Sequence, residues 1–151
     1  MNEKKNFIVG LYPRVSTEDQ SRYGHSLDEQ EESMKKLCDF KGYTIYKIYR
    51  EEGVSAKSMD RPKFQEMIDD LKSGKINKII VYKLDRLTRS IQDLESICKL
   101  IEETDTSLES VSEEINTDTA TGKFFIRMTT ILAQLEIERT SERTKFGLTG
   151  A

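Results

Sequence analysis

Long apolar runs are missing from this 151-residue sequence, and so are the residue types that anchor several common chemistries. No stretch approaches the roughly 20 apolar residues of a membrane-spanning helix. The lysine-bearing segment Met1 to Asn6 is followed by an apolar run that is too short for a signal peptide and stops before Arg14. The expectation is a cytoplasmic protein with no membrane partner. Cysteine is down to two residues, Cys38 and Cys98, far apart and each inside an apolar helical pattern. That excludes a disulfide framework or a zinc site and predicts buried free thiols. The single histidine, His25, sits in a polar loop, which removes the usual general base of a Ser-His-Asp hydrolase. No carboxylate cluster has metal-ligand spacing, and no Gly-x-Gly-x-x-Gly or P-loop is present, so neither a metal nor a nucleotide cofactor is expected.

Charge is plentiful but nearly balanced. A net charge of −3 argues against a surface that binds nucleic acid all over, although local clusters can still do so. With 36% hydrophobic residues the length suits one compact domain with its own core.

What is present is alternation. Phe7 to Tyr12 is a short apolar run ending at Pro13, the mark of a buried strand. Ser26 and Glu29 fit a capping box opening a helix with Leu27, Gln30, Met34, Leu37 and Cys38 on one face and Gly42 to stop it. Tyr43 to Tyr49 reads as an alternating strand, with Tyr43, Ile45, Lys47 and Tyr49 facing one way and Thr44, Tyr46 and Ile48 the other. Asp60 is a candidate cap for a helix carrying Phe64, Met67, Ile68 and Leu71, with Pro62 in its first turn and Gly74 at its end. Lys78 to Tyr82 is a β-branched strand, Ser90 opens a helix with Leu94, Ile97, Cys98 and Ile101 inward, and a weaker strand runs near Ser107 to Val111. This order predicts an α/β fold with a mostly parallel central sheet flanked by helices.

The last element differs in kind. From about Thr121 to at least Lys145 there is no proline, and Phe124, Met128, Ile131 and Leu135 recur at alternating four and three spacing. Beyond Leu135 the pattern turns polar. Such a helix is too long for a small domain to cover, so its apolar stripe is expected to meet another subunit. The division expected is a core over 1–120 and an oligomerisation helix over 121–151.

Three segments leave a strand end and present arginines: Tyr12-Pro13-Arg14-Val15-Ser16, Met59-Asp60-Arg61-Pro62, and Tyr82-Lys83-Leu84-Asp85-Arg86-Leu87-Thr88-Arg89. Open α/β sheets place their sites at the carboxyl ends of strands. Four arginines gathered there repel one another unless an anion joins them, and guanidinium forks match phosphate oxygens. Ser16 supplies a hydroxyl at the same spot. Each piece alone reads equally well as a turn or a helix start; jointly they point to arginine-stabilised attack on phosphorus.

Tyr-x-Arg-Val-Ser, Ser26-Leu27-Asp28-Glu29-Gln30, Gly53-Val54-Ser55-Ala56 leading to Arg61-Pro62, and Lys83-Leu84-Asp85-Arg86-Leu87-Thr88-Arg89 occur in this order and spacing in serine recombinases, which the sequence resembles over nearly its whole length. The longer segment between Ser16 and Ser26 is similar to the large integrases and transposases of that superfamily rather than to its small resolvases and invertases. The resemblance implies that Ser16 is the nucleophile and forms a 5′-phosphoserine link to DNA. It implies that Arg14, Arg61, Arg86 and Arg89 surround the scissile phosphate, and that Asp85 orients them or takes part in proton transfer. Gln20 and Gln30 match supporting polar positions, and Arg143 a DNA-contacting one. The implied partners are double-stranded DNA attachment sites, a homodimer that assembles to a homotetramer, and an accessory directionality factor, with no cofactor. The sequence ends at Ala151 without a helix-turn-helix or zinc module, and the resemblance implies recognition domains beyond that point.

Two positions depart from the family pattern. Pro13 replaces a residue able to donate a backbone hydrogen bond, so the strand end is expected to be an edge or past pairing. Ile137 stands where the final helix commonly carries arginine. The alternative function is a non-catalytic dimerisation or regulatory module of the same fold, against which the intact Ser16 and arginines speak.

Overall fold

In the computed structural model, residues 6–15, 27–52, 61–88, 90–113 and 115–149 are described, with the side chains of Asp85, Ile126, Ile137 and residues 140–149 left aside. The elements run β1 (Ile8–Tyr12), β2 (Arg14–Val15), α1 (Leu27–Lys41), β3 (Thr44–Ile48), β4 (Glu51–Glu52), α2 (Pro62–Lys72), β5 (Lys78–Val81), α3 (Leu84–Leu87), α4 (Ile91–Glu103), β6 (Ser107–Ser110) and α5 (Ala120–Thr149). Four strands form a sheet in the order β3-β1-β5-β6, every neighbouring pair parallel. A sheet of this kind is covered on both faces at its centre, so the central strands β1 and β5 are mainly apolar rather than alternating. β5 is buried at all four positions.

Each face has its own core. Val9, Leu11 and Ile80 point to one side, where Met34 and Cys38 of α1 cover them. Tyr12, Ile79, Val81 and Leu108 point to the other, under Phe64, Met67 and Leu71 of α2 and Ile97 and Ile101 of α4. Helix ends follow the residues that suit them: Gly42 and Gly74 adopt φ of 75° and 83° just after α1 and α2, and the Ser90 side chain accepts from Asp93 N at 3.2 Å to open α4.

Two expectations change. The simple alternation along Tyr43 to Tyr49 fails because β3 carries a bulge: Val9 pairs with Ile45 but Gly10 pairs with Lys47. The extra residue moves Ile48 to the side of Tyr43 and Ile45, against α1, and sends Tyr49 to the opposite core. The N-cap of α2 is Arg61, with no side-chain cap of its own, and the first-turn amides of Lys63 and Phe64 are met from outside by the Glu51 carboxylate at 3.2 and 3.3 Å. Asp60, Ser26 and His25 lie outside the described residues.

Thirty residues make α5 about 45 Å long. It packs on α4, with Gly122, Thr129 and Ala133 buried. Gly122 is required by close approach, since a Cβ there would meet Asn116 O at 1.9 Å. Phe124, Met128, Ile131 and Leu135 are 62%, 38%, 49% and 42% exposed. Phe124, Ile131 and Leu135 each lie two residues beyond a buried position, about 200° around the helix, so the stripe faces away from the body. Among the described residues no helix is long and apolar enough to cross a membrane.

Candidate active site

β1 and β5 end side by side, with Tyr12 opposite Val81, and the chain beyond each turns into the same crevice. Pro13 lies in the step from β1 to β2, where no donor is demanded; its carbonyl accepts from Glu51 N at 3.0 Å. Arg14 is then held by one side chain. The buried Gln30 carboxamide accepts from Arg14 N and donates to Arg14 O, both at 3.1 Å, which is the pairing a neighbouring strand would make. Gln30 comes from the first turn of α1, so it ties that helix to a residue two before Ser16.

Three arginines meet in this region. Arg14 and Arg61 are fully buried and Arg86 is 4% exposed. Arg14 Nε donates to Arg86 O at 2.7 Å, and Arg61 Nη1 donates to Leu87 O and to the Tyr12 hydroxyl, the latter at 3.3 Å. Two guanidiniums thus grip consecutive carbonyls of α3, the single turn that carries Asp85 and Arg86. Terminal helix carbonyls carry partial negative charge and need such donors. The Arg61 guanidinium also stacks over the Phe64 ring at 4.3 Å, and Phe64 meets Tyr12 edge-on with centroids 5.8 Å apart.

Sequence reasoning missed two members. Glu51 is buried, and its Oε1 accepts from the Tyr12 hydroxyl at 3.5 Å besides serving the start of α2. Burial pushes the Tyr12 phenol well above its ordinary range, with the Arg61 charge opposing and the Glu51 charge adding, so it stays protonated and can donate. The signals for Tyr12 were its place at a strand end two residues before Arg14 and its standing as the first residue of the Tyr-x-Arg-Val-Ser segment. Nothing local distinguishes Glu51 from its neighbour Glu52, which is exposed.

Arg14, Arg61, Arg86 and Gln30 are therefore brought together. Ser16, Gln20 and Arg89 lie outside the described residues, and the side chains of Asp85 on α3 and Arg143 on α5 are not described. Phe124, Met128, Ile131 and Leu135 belong to α5 and take no part in the crevice. Burial pushes the Cys38 and Cys98 thiols up to about 11 and 12, which disqualifies them as nucleophiles.

A second buried charge cluster lies toward the amino ends of the strands. Lys78, the first residue of β5, is fully buried and bonds Glu109 at 3.1 Å, Asp118 at 2.7 Å and Asn116 at 3.2 Å. Glu109 also accepts from Lys41 and, at 2.7 Å, from Tyr43. Beside it opens a cavity of about 620 Å³, bordered by Phe7, Tyr43, Asp118, Lys123 and Arg127. Its walls carry both signs of charge, and none of the three clustered arginines lines it.

At the carboxyl end of this parallel sheet, buried arginines gather on segments that leave the neighbouring strands β1 and β5 and on the start of α2. Residues 9–151 match the family described as the resolvase N-terminal domain, and the chain belongs to that family, the catalytic domains of serine recombinases. It is 36% identical over 140 residues to the transposon Tn917 resolvase of Enterococcus faecalis, covering 93% of this chain and 68% of that protein. It superimposes on the N-terminal catalytic domain of TP901-1 integrase with a TM-score of 0.81 at 31% identity, covering 87% of this chain and 98% of that one. A resolvase family site-specific recombinase from Streptococcus pneumoniae gives the same TM-score and identity, with 96% and 97% covered. Likeness is thus shared between a resolvase and an integrase.

Proposed function

We propose that this domain cuts and rejoins double-stranded DNA at attachment sites, with Ser16 as the nucleophile. Ser16 Oγ loses its proton and bonds to phosphorus, the 3′ oxygen leaves and takes up a proton, and DNA stays linked as a 5′-phosphoserine. Attack by a free 3′-hydroxyl reverses the step, so no bond energy has to be supplied from outside. Arg14, Arg61, Arg86 and Arg89 stabilise the charge on the phosphorane, Asp85 orients them or moves a proton, and Gln20 and Gln30 support the loop. Arg14 would meet phosphate with the Nη edge of its fork, its Nε being engaged by the Arg86 carbonyl.

The observation that carries this reading is the gathering of three buried arginines at α3: Arg86 lies on it, and the guanidiniums of Arg14 and Arg61 bond its last two carbonyls. Guanidinium forks match phosphate oxygens in pairs, which makes a phosphodiester a fitting ligand for such a cluster. Paired subunits would meet through Phe124, Met128, Ile131 and Leu135, two dimers would form the synaptic tetramer, and Arg143 would contact DNA along α5. An accessory factor would set direction.

The test is a denaturant-resistant protein–DNA adduct on a nicked crossover-site duplex, mapped by mass spectrometry. Ser16→Ala should abolish the adduct and leave the fold intact. An undiminished adduct in folded Ser16→Ala protein, or cleavage that EDTA stops, would overturn the reading.

A further inference from the structure

We propose that Tyr12 is a positioning residue of this site: its hydroxyl, wedged between Arg61 and Glu51, sets the angle at which the Arg61 guanidinium meets the reacting phosphate. This rests on the phosphate-binding reading of Arg61 above. Tyr12 is fully buried, in a core where phenylalanine would fill nearly the same space. A buried hydroxyl is tolerated only with partners, and it has two: it accepts from Arg61 Nη1 at 3.3 Å and donates to Glu51 Oε1 at 3.5 Å.

The geometry around Arg61 shows what the hydroxyl adds. Stacking on Phe64 at 4.3 Å fixes the tilt of the guanidinium plane but leaves the fork able to turn within that plane. Rotation is stopped by the two acceptors on the same nitrogen, Leu87 O and the Tyr12 hydroxyl. These acceptors come from two different strand ends: Leu87 closes α3 beyond β5, and Tyr12 closes β1. The fork is therefore referenced to both the Arg86 segment and the segment leading to Ser16. Glu51 anchors the far side of the hydroxyl, and its carboxylate is itself held by the amides that begin α2, directly after Arg61.

Tyr12→Phe removes the hydroxyl and keeps the ring. In the complete recombinase we expect cleavage to slow by about tenfold or more at saturating DNA, with DNA affinity unchanged. In an Arg61→Ala background the same change should cost nothing further, because its effect passes through Arg61. Nitrogen-15 spectra of the chain give a readout apart from catalysis: the Arg61 Nη signals should show slow rotation in the wild type and fast rotation in Tyr12→Phe. Should Tyr12→Phe not fold, 4-fluorophenylalanine at position 12 fills the volume of the hydroxyl without its hydrogen bonds, with the same expectations. Wild-type cleavage by either variant, losses that add to those of Arg61→Ala, or Arg61 signals that stay slow would overturn the proposal. If the wild type forms no Ser16 adduct, the functional reading fails, and the Arg61 spectra still decide whether Tyr12 positions that side chain.

Discussion

The sheet buries charge at both of its poles, and the two solutions differ. At the carboxyl ends the buried charged groups among the described residues are Arg14, Arg61, Arg86 and Glu51, three cations to one anion. At the amino ends they are Lys78 and Glu109, joined by the partly exposed Lys41 and Asp118, so the signs balance. The amino pole is closed: each charge has an opposite charge in contact, and the cluster fastens the turn before α5 to the start of β5. At the carboxyl pole the guanidiniums of Arg14 and Arg61 hold backbone carbonyls of α3, which orients them. The balanced cluster is built as a strut, whereas the gathered arginines suit the phosphate-binding role proposed above.

The largest expected effect is at the carboxyl pole and falls on activity. Arg14→Lys and Arg86→Lys should each lower cleavage by roughly a hundred- to thousand-fold, equivalent to about 3–4 kcal/mol of lost transition-state stabilisation. A point charge cannot reproduce a planar fork, and in Arg14→Lys the bond to Arg86 O is weakened as well. Single-turnover cleavage rates measure this; near-full activity in Arg86→Lys would break the contrast.

At the amino pole the effect should fall on stability instead. Lys78→Met leaves Glu109 and Asp118 without their shared cation and should destabilise the domain by about 3 kcal/mol, seen in denaturant unfolding. Adding Glu109→Leu should recover part of that, and the folded fraction should cleave DNA normally. Loss of cleavage with stability intact would mean that the strut belongs to the site.

A smaller signature is pH dependence. Burial alone would raise the Glu109 carboxyl, but hydrogen bonds from Lys41, Tyr43 and Lys78 outweigh it and hold the group below its ordinary value of 4.5. A depressed folded-state value contributes stability that is complete above the ordinary value and is lost as pH falls below it. Stability should thus drop on acidification below about 4.5, and Glu109→Gln should flatten that part of the profile.

The smallest thermal effect should come from α5. Ile131 and Leu135 are 49% and 42% exposed, so replacing both with glutamate should barely move the melting temperature. It should nonetheless turn a concentration-dependent dimer into a monomer in sedimentation. Outright unfolding of the double variant would place the stripe in the core after all.

Much of this molecule was legible because its elements repeat at their own periods. The buried face Leu27, Gln30, Met34 and Cys38 follows the 3.6-residue period, and Ile79 to Val81 reads as a strand buried on both faces. Ser90 announced its cap. The bulge in β3 was hidden, because pairing register is decided by the neighbouring strand rather than by Tyr43 to Tyr49 themselves. Glu51 was hidden for the same kind of reason: its role depends on α2 beginning within reach of its carboxylate, not on the residues beside it.

The sequence by itself determined the family, through motifs whose order and spacing carry the chemistry, and it determined the helices and strands through local periodicity. Tertiary structure alone decided which groups the charges touch. Arg14 finds the carbonyl of Arg86 at a sequence separation of 72, Lys78 finds Asp118 at 40, and Tyr12 comes between Arg61 and Glu51. Hydrogen bonds and buried ion pairs act over about 3 Å, so their partners are chosen by how the sheet and its helices pack, which no local pattern encodes.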